Sequence, residues 1–126
     1  MDIFDDEWLA AAAEVLAALP EVEGASAVID YVIASSPAGK ATIGVTIDNG
    51  RVVSLQAGKS DDPDVVISLG YDAALKILGG EMSGDAGFMN GALKVEGAYE
   101  RWMLALRPTR LAAIEALAPV MADTTT

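Results

Sequence analysis

Few residue types in this chain can carry out chemistry, because its 126 residues include no histidine and no cysteine. That double absence excludes cysteine nucleophiles, Ser-His-Asp triads, zinc sites built on either residue, and a histidine pH switch. Carboxylates, hydroxyls, lysine, arginine and backbone amides remain. Any catalysis by this chain would therefore depend on carboxyl groups of shifted pKa and on hydrogen-bond donors.

Asp30 is the carboxylate best placed for such a role, since it lies between Val28 and Val32, whose side chains point the same way along a predicted strand. A carboxyl group desolvated in an apolar pocket has a raised pKa and can act as a general acid or base. Tyr31 or Tyr99 could donate a hydrogen bond to a substrate carbonyl. The alternative interpretation places Asp30 on an open face that reaches water and makes both tyrosines ordinary core aromatics.

The charge distribution is the second chemical feature of the sequence. Nineteen acidic and eight basic residues give a net charge of −11, which repels nucleic-acid backbones and anionic lipid headgroups. No nucleic-acid partner is therefore predicted. Half of the basic residues lie between positions 94 and 110. Arg101, Arg107 and Arg110 could receive an anionic head such as a CoA phosphate or a fatty-acid carboxylate, or could form ordinary solvated helix faces. The uneven charge could also support head-to-tail self-docking between copies of the chain.

Neither a phosphate loop nor a metal site is predicted. Gly58-Lys59-Ser60 resembles the end of a phosphate loop, but Val53 stands where the motif requires glycine. The acidic loop 60–64 lacks the spacing of a calcium-binding EF-hand and is interpreted as a solvated loop. We therefore expect no metal and no cofactor.

The elements that must position these residues follow from the apolar period. Residues 5–19 form a predicted helix, capped by Asp5 or Asp6 and ended by Pro20. From position 27 to position 69 the period is two, which predicts four strands. A three-residue loop 48–50 is predicted to pair Ile47 with Arg51. That register would bury four apolar residues on one face: Ile43, Val45, Val53 and Leu55.

The rest of the chain completes the predicted fold. After Gly70 the sequence predicts two helices, a fifth strand over 92–96 and a final helical segment broken at Pro108. This order indicates an α+β fold, in which helices cover a five-stranded, mainly antiparallel sheet, and the length indicates one domain over residues 1–126. The 52% hydrophobic content predicts a dense core or an apolar cavity.

Two patterns bear on location. Four of the first seven residues are acidic and none is basic, whereas a secretory signal would begin with basic residues. No segment has the roughly 18 uninterrupted apolar residues that a membrane span requires. We therefore expect a cytoplasmic protein without stable membrane insertion.

Two sequence blocks between Asp64 and Leu106 have a recognisable pattern. Residues 64–69 read DVVISL and are followed by a short helix that ends at two glycines; residues 88–97 read FMNGALKVEG. These blocks resemble the sterol carrier protein 2 (SCP2) domain family, whose pattern is a D-hydrophobic-T-hydrophobic strand, a helix, and then F-x-Q-G-K-L-K-hydrophobic-x-G. Asn90 and Ala92 stand where the family usually has glutamine and lysine.

The resemblance implies an SCP2-like fold, in which a five-stranded sheet and its helices enclose an apolar tunnel. In this family the tunnel takes up sterols, fatty acids and acyl-CoAs without modifying them. The family layout implies eight residues as the tunnel lining: Leu75, Leu78, Met82, Phe88, Met89, Trp102, Met103 and Leu106. The same side chains could also be plain core, because core and cavity share one composition.

Three functions are consistent with the sequence. The leading hypothesis is a non-enzymatic carrier module for a sterol, a steroid intermediate, a fatty acyl chain or an acyl-CoA. The second is a small enzyme acting on a steroid-like carbonyl compound, with Asp30 as base and Tyr31 or Tyr99 as donor. The third is an accessory subunit that presents a bound intermediate to a partner enzyme through the acidic first helix. Ligand identity, pathway and oligomeric state are left open.

Overall fold

The computed structural model describes all residues from Met1 to Thr126. Its elements, in chain order, are α1 (Asp6–Leu16), β1 (Ala27–Ser36), β2 (Gly39–Asp48), β3 (Arg51–Ala57), β4 (Val65–Gly70), α2 (Tyr71–Leu78), α3 (Gly84–Met89), β5 (Leu93–Gly97), a π-helical segment (Arg101–Ala105) and α4 (Arg107–Ala122). The α+β class and the five strands predicted from the sequence are confirmed.

Helix α1 begins where its capping residue predicts. The Asp5 carboxylate accepts a hydrogen bond from the Trp8 amide at 2.8 Å, which satisfies one of the free amides of the first turn. Trp8, Ala12 and Leu16 recur at four-residue spacing and are buried. The apolar stripe therefore packs α1 onto the sheet.

The five strands form one mixed sheet in the order β3-β2-β1-β4-β5. Three neighbouring pairs are antiparallel, and the central pair of β1 and β4 is parallel. Since β3 lies at an edge and β4 lies beyond β1, the connection 58–64 must cross from one side of the sheet to the other. Ile29, Val45 and Ile67 belong to the buried inner face, against which the helices pack.

The β2–β3 turn differs from the predicted three-residue loop. Asp48 pairs with Arg51 across a two-residue turn, in which Asn49 and Gly50 have φ of 48° and 89°. Such a type I′ turn matches the twist of the strands. A bulge then restores the inward register, because Thr46 pairs with Ser54 after Ile47 has paired with Val52.

The bulge changes which residues of β3 are buried. Val52 is buried and Val53 is 62% exposed, so the expectation that Val53 joins the core is wrong. Ile43 and Val45 are buried as predicted, and Leu55 packs partly buried against the core.

The final helical part also differs in detail from the expectation. The π-helical segment runs directly into α4, and Pro108 lies in the first turn of α4. Proline is tolerated there because the amides of a first turn have no intrahelical partner. None of the helices is both long and apolar enough to cross a membrane.

Candidate functional site

The eight residues predicted to line a tunnel lie on the helical side of the fold and differ widely in exposure. Trp102 and Leu106 are buried in the core. Leu75, Leu78, Met82 and Met103 are half-buried. Phe88 is 36% exposed and Met89 is 80% exposed. The helical layer therefore leaves much of this apolar set incompletely covered.

Trp102 is the anchor of this region. Its indole Nε1 donates a hydrogen bond to the Tyr31 hydroxyl of β1 at 3.1 Å. The Arg110 guanidinium lies over the indole ring, 4.0 Å from its centroid, and the Arg110 Nε donates to the Trp102 carbonyl at 2.8 Å. Burial raises the pKa of Tyr31 above 10.0, although the Trp102 hydrogen bond and the Arg110 charge act in the opposite direction. Tyr31 is therefore a neutral phenol at physiological pH.

Helix α3 is attached to α4 by one carboxylate that is shared between two arginines. Asp85 contacts the Arg107 Nε at 2.8 Å and the Arg110 Nη2 at 2.7 Å. Arg101 pairs with Asp64 at 3.3 Å. All three arginines that were candidates for an anionic ligand head therefore already face a carboxylate of the chain.

Met82 packs against α3. A Cβ placed on Gly87 would lie 3.5 Å from Met82 Cε and 3.1 Å from Leu93 Cδ2, so glycine allows these side chains to approach the helix. The Asn90 side-chain amide lies 3.6 Å from Met82 Sδ. A Cβ on Gly84 would lie 2.9 Å from the Trp102 ring. The structure thus brings Met82 and Trp102 against α3, whereas Met89 points to solvent.

Asp30 lies on the other face of the sheet. It is buried under the crossing connection, where its carboxylate accepts hydrogen bonds from the Ser60 amide at 3.1 Å and from the Ser60 hydroxyl at 2.7 Å. Gly44 beside it allows this approach, because a Cβ there would meet Ser60 Oγ at 2.8 Å. Tyr31, the next residue of β1, points to the helical face, and Tyr99 is exposed. The proposed acid and donor groups therefore do not meet in one site.

An aromatic cluster at the other end of α2 was not assigned a role from the sequence. The Phe4 ring contacts the rings of Trp8 and Tyr71 edge-on, with centroid distances of 5.2 and 6.4 Å. The buried Trp8 Nε1 and the Tyr71 hydroxyl have no hydrogen-bond partner in the protein. The four-residue spacing of Phe4 and Trp8 signals their contact, but nothing in the sequence signals that Tyr71 joins them.

Comparison with known proteins agrees with this architecture. A crystal structure of sterol carrier protein 2 superposes with a TM-score of 0.70 at 18% identity, over 98% of this chain and all of that one. A conserved hypothetical protein from Thermus thermophilus, described as a possible sterol carrier protein, has a TM-score of 0.70 at 17% identity, over 95% of this chain and 90% of its own.

A third solved structure, that of palmitated SCP2L2 from Aedes aegypti, has a TM-score of 0.58 at 18% identity and covers 85% of this chain and 88% of that one. No curated protein matches the sequence. The sequence profile of the SCP-2 sterol transfer family matches residues 7–105. With most of its length matched, the chain belongs to the SCP-2 sterol transfer family.

Proposed function

We propose that this chain is a non-enzymatic carrier that binds one lipid-like molecule between its sheet and its helices. Membership of the SCP-2 sterol transfer family supports the coarser statement, that the chain is a lipid-binding carrier domain. The ligand classes in the proposal are a sterol, a steroid intermediate, a fatty acyl chain and an acyl-CoA. The palmitated state of the related Aedes protein supports the fatty acyl class.

The observation that carries the proposal is the incomplete burial of the apolar side chains of α2 and α3. Leu75, Leu78 and Met82 are half-buried beside the inner face of the sheet, and Phe88 is more exposed still. Covering such surface with a ligand is favourable by roughly 25 cal/mol per Å² of apolar area, so that about 300 Å² would contribute about 7 kcal/mol before binding costs. The eight predicted lining residues remain the proposed contact set.

The geometry favours binding over catalysis. Catalysis by Asp30 would need its carboxylate and a tyrosine hydroxyl on one face, and the sheet separates Asp30 from Tyr31. Asp30 is also occupied by Ser60. The contacts that hold Trp102 rigid, by contrast, provide a stable wall for a bound molecule.

A displacement assay with a fluorescent fatty acid and a fluorescent sterol tests the proposal. We expect saturable binding of one ligand per chain and its displacement by unlabelled lipid of the preferred class. Met103→Ala and Phe88→Ala should weaken binding more than they lower the melting temperature. Val53→Ala, which shortens an exposed side chain on β3, is the matched control and should leave binding unchanged. Absence of saturable binding for every lipid class would refute the proposal.

The proposal also includes a cytoplasmic location and allows for a partner enzyme. Cell fractionation followed by native mass spectrometry of the purified protein tests the location and identifies a retained lipid by its mass. A co-purifying enzyme would add the presenting role to the carrier role.

A further inference from the structure

A groove near the N-terminal end of α2 has features of a ligand site. It is an open depression of 410 Å³ between the N-terminal segment and the hairpin of β2 and β3. We call it the Phe4 groove. Its lining residues are Phe4, Lys40, Ala41, Thr42, Ile43, Ala57 and Gly58. Ile43 belongs to the buried inner face of the sheet, so the groove adjoins the interior of the fold.

Phe4 stands between this groove and the interior. Its ring lines the groove on one side and contacts Trp8 and Tyr71 on the other. Its backbone has a φ of 65°, a left-handed conformation that is unfavourable for a bulky aromatic residue. The segment that holds Phe4 is therefore strained, and the Phe4 ring separates the groove from Trp8 and Tyr71.

Behind Phe4 lie two polar groups whose hydrogen bonds are not satisfied. The Trp8 Nε1 and the Tyr71 hydroxyl are buried and have no partner in the protein. Buried polar atoms without partners are rare, and a partner from outside the chain is one explanation for them. An indole N–H can only donate, so a group that binds here must carry an acceptor atom, such as an oxygen.

The charge at the mouth of the groove distinguishes among oxygen-bearing heads. Lys40 lines the groove and forms no ion pair, whereas Arg101, Arg107 and Arg110 are all paired. In a chain of net charge −11, an unpaired ammonium group on the groove side of Phe4, with two free donors on its inner side, favours a carboxylate over a neutral alcohol or ketone.

One face of α2 provides the path for the rest of the ligand. Tyr71, Leu75 and Leu78 recur at positions i, i+4 and i+7, so their side chains form one row. The row extends about 10 Å at about 1.5 Å per residue, and it ends near the half-buried apolar residues already proposed as the lining. A long alkyl chain starting at Tyr71 would therefore follow Leu75 and Leu78.

We propose that the Phe4 groove is the polar end of the ligand site, where Trp8, Tyr71 and Lys40 bind the carboxylate of a long-chain fatty acid whose alkyl chain follows α2. This assignment rests on the carrier function proposed above and specifies the ligand's class and direction. Phe4 moves aside when the carboxylate enters.

Matched ligands and matched variants test the assignment. Palmitic acid and its methyl ester compete with 11-(dansylamino)undecanoic acid, which reports occupancy by its fluorescence. We expect Tyr71→Phe and Trp8→Phe to weaken palmitate binding about tenfold, the loss for a hydrogen bond to a charged group, and to weaken methyl palmitate binding about threefold. Lys40→Met should weaken palmitate binding only and should remove its dependence on salt.

Tyr99→Phe and Lys94→Met are the controls, because both residues are exposed and lie outside the groove. They should bind both ligands like the parent. A second measurement needs no variant and therefore does not depend on whether the variants fold. In the unaltered protein, the indole N–H resonance of Trp8 should shift on addition of palmitate. The indole resonance of Trp102, which is already bonded to Tyr31, should shift less.

The failure of this assignment differs from the failure of the carrier function. If Leu75→Ala weakens palmitate binding while Trp8→Phe, Tyr71→Phe and Lys40→Met bind palmitate like the parent, the carrier function holds and the polar end lies elsewhere. If the unaltered protein binds none of the lipids saturably, the carrier function itself is refuted.

Discussion

Replacing Arg110 with methionine tests how much its contacts with Trp102, Met103 and Asp85 contribute to the stability of the fold. Arg110 is only 11% exposed at its side chain, and it donates to the carbonyls of Trp102 and Met103 at 2.8 and 3.2 Å. It also donates to Asp85 at 2.7 Å. Methionine keeps an unbranched apolar stem and removes all of these donors together with the charge.

The expected loss can be worked out from these contacts. Two hydrogen bonds to carbonyls contribute about 1 kcal/mol each, and the bond to a charged partner contributes about 1.5 to 3 kcal/mol. Arg107 still neutralises Asp85 in the variant, which reduces the last contribution. We therefore expect Arg110→Met to lower the free energy of unfolding by about 3 kcal/mol, or the melting temperature by about 10 °C.

Urea unfolding followed by tryptophan fluorescence measures this change, and Arg107→Met is the control. The Arg107 side chain is 58% exposed, and exposed ion pairs contribute at most about 1 kcal/mol. The two variants remove the same charge, so the difference between them reports the buried contacts alone. If both unfold at the same urea concentration, the reasoning that assigns stability to the Arg110 contacts is refuted.

Other parts of the structure give three more predictions. Asp30→Ala should destabilise the fold by about 2 kcal/mol, because Ser60 loses its acceptor, yet calorimetry should show unchanged lipid affinity; a changed affinity would contradict the placement on the outer face. Tyr31 has a raised pKa in the folded chain, so its contribution to the free energy of unfolding is complete below pH 10.0 and is lost as the pH rises through the raised value. The melting temperature of Tyr31→Phe should therefore fall less at alkaline pH than that of the parent. Val45→Asp should unfold the domain, as followed by circular dichroism, whereas Val53→Asp should change the free energy of unfolding by less than about 1 kcal/mol. Equal effects of the two substitutions would contradict the observed bulge.

Local signals in the sequence were sufficient for much of the fold. Asp5 caps α1 because its side chain needs only the amide three residues away, and the alternation around Ile29 and Ile43 reflects burial of one sheet face. The second sequence block, at 88–97, indicated the family because its glycines and its strand keep a set spacing. The helix cap and the strand alternation were therefore interpreted correctly, whereas the local turn at 48–50 was not.

Features that depend on distant partners could not be predicted. The bulge beside Val53 results from a balance between the Asn49-Gly50 turn and the inward register. The apolar pattern indicated a three-residue loop, because a two-residue turn without a bulge would mix the two faces of the sheet. Asp30 was identified as unusual, but its partner Ser60 lies 30 residues away in a connection whose course no local pattern indicates. The exposure of Met89 depends on where α3 ends relative to the sheet.

For the candidate site, the sequence indicated which residues are apolar but not which residues they contact in the fold. The family layout implied Trp102 and Leu106 as lining residues; the structure buries both side chains, and their contact with a ligand stays a prediction. The hydrogen bond between Trp102 and Tyr31 joins residues 71 positions apart, so no local pattern could indicate it. The unsatisfied donors at Trp8 and Tyr71 are visible only once the surroundings of each atom are known.

The parallel pairing at the centre of the sheet has a consequence for how the chain folds. Short turns connect the strands of the β1-β2-β3 meander, but β4 pairs with β1 across the whole of β2 and β3 in sequence. The hydrogen bond from the Val28 amide to the Asp64 carboxylate, for example, spans a sequence separation of 36. Closing such a loop costs conformational entropy before any contact is gained, and domains rich in non-local pairs fold slowly. We expect the meander to form in the folding transition state and β4 to dock after it, so that mutations in β4 accelerate unfolding and leave the folding rate almost unchanged.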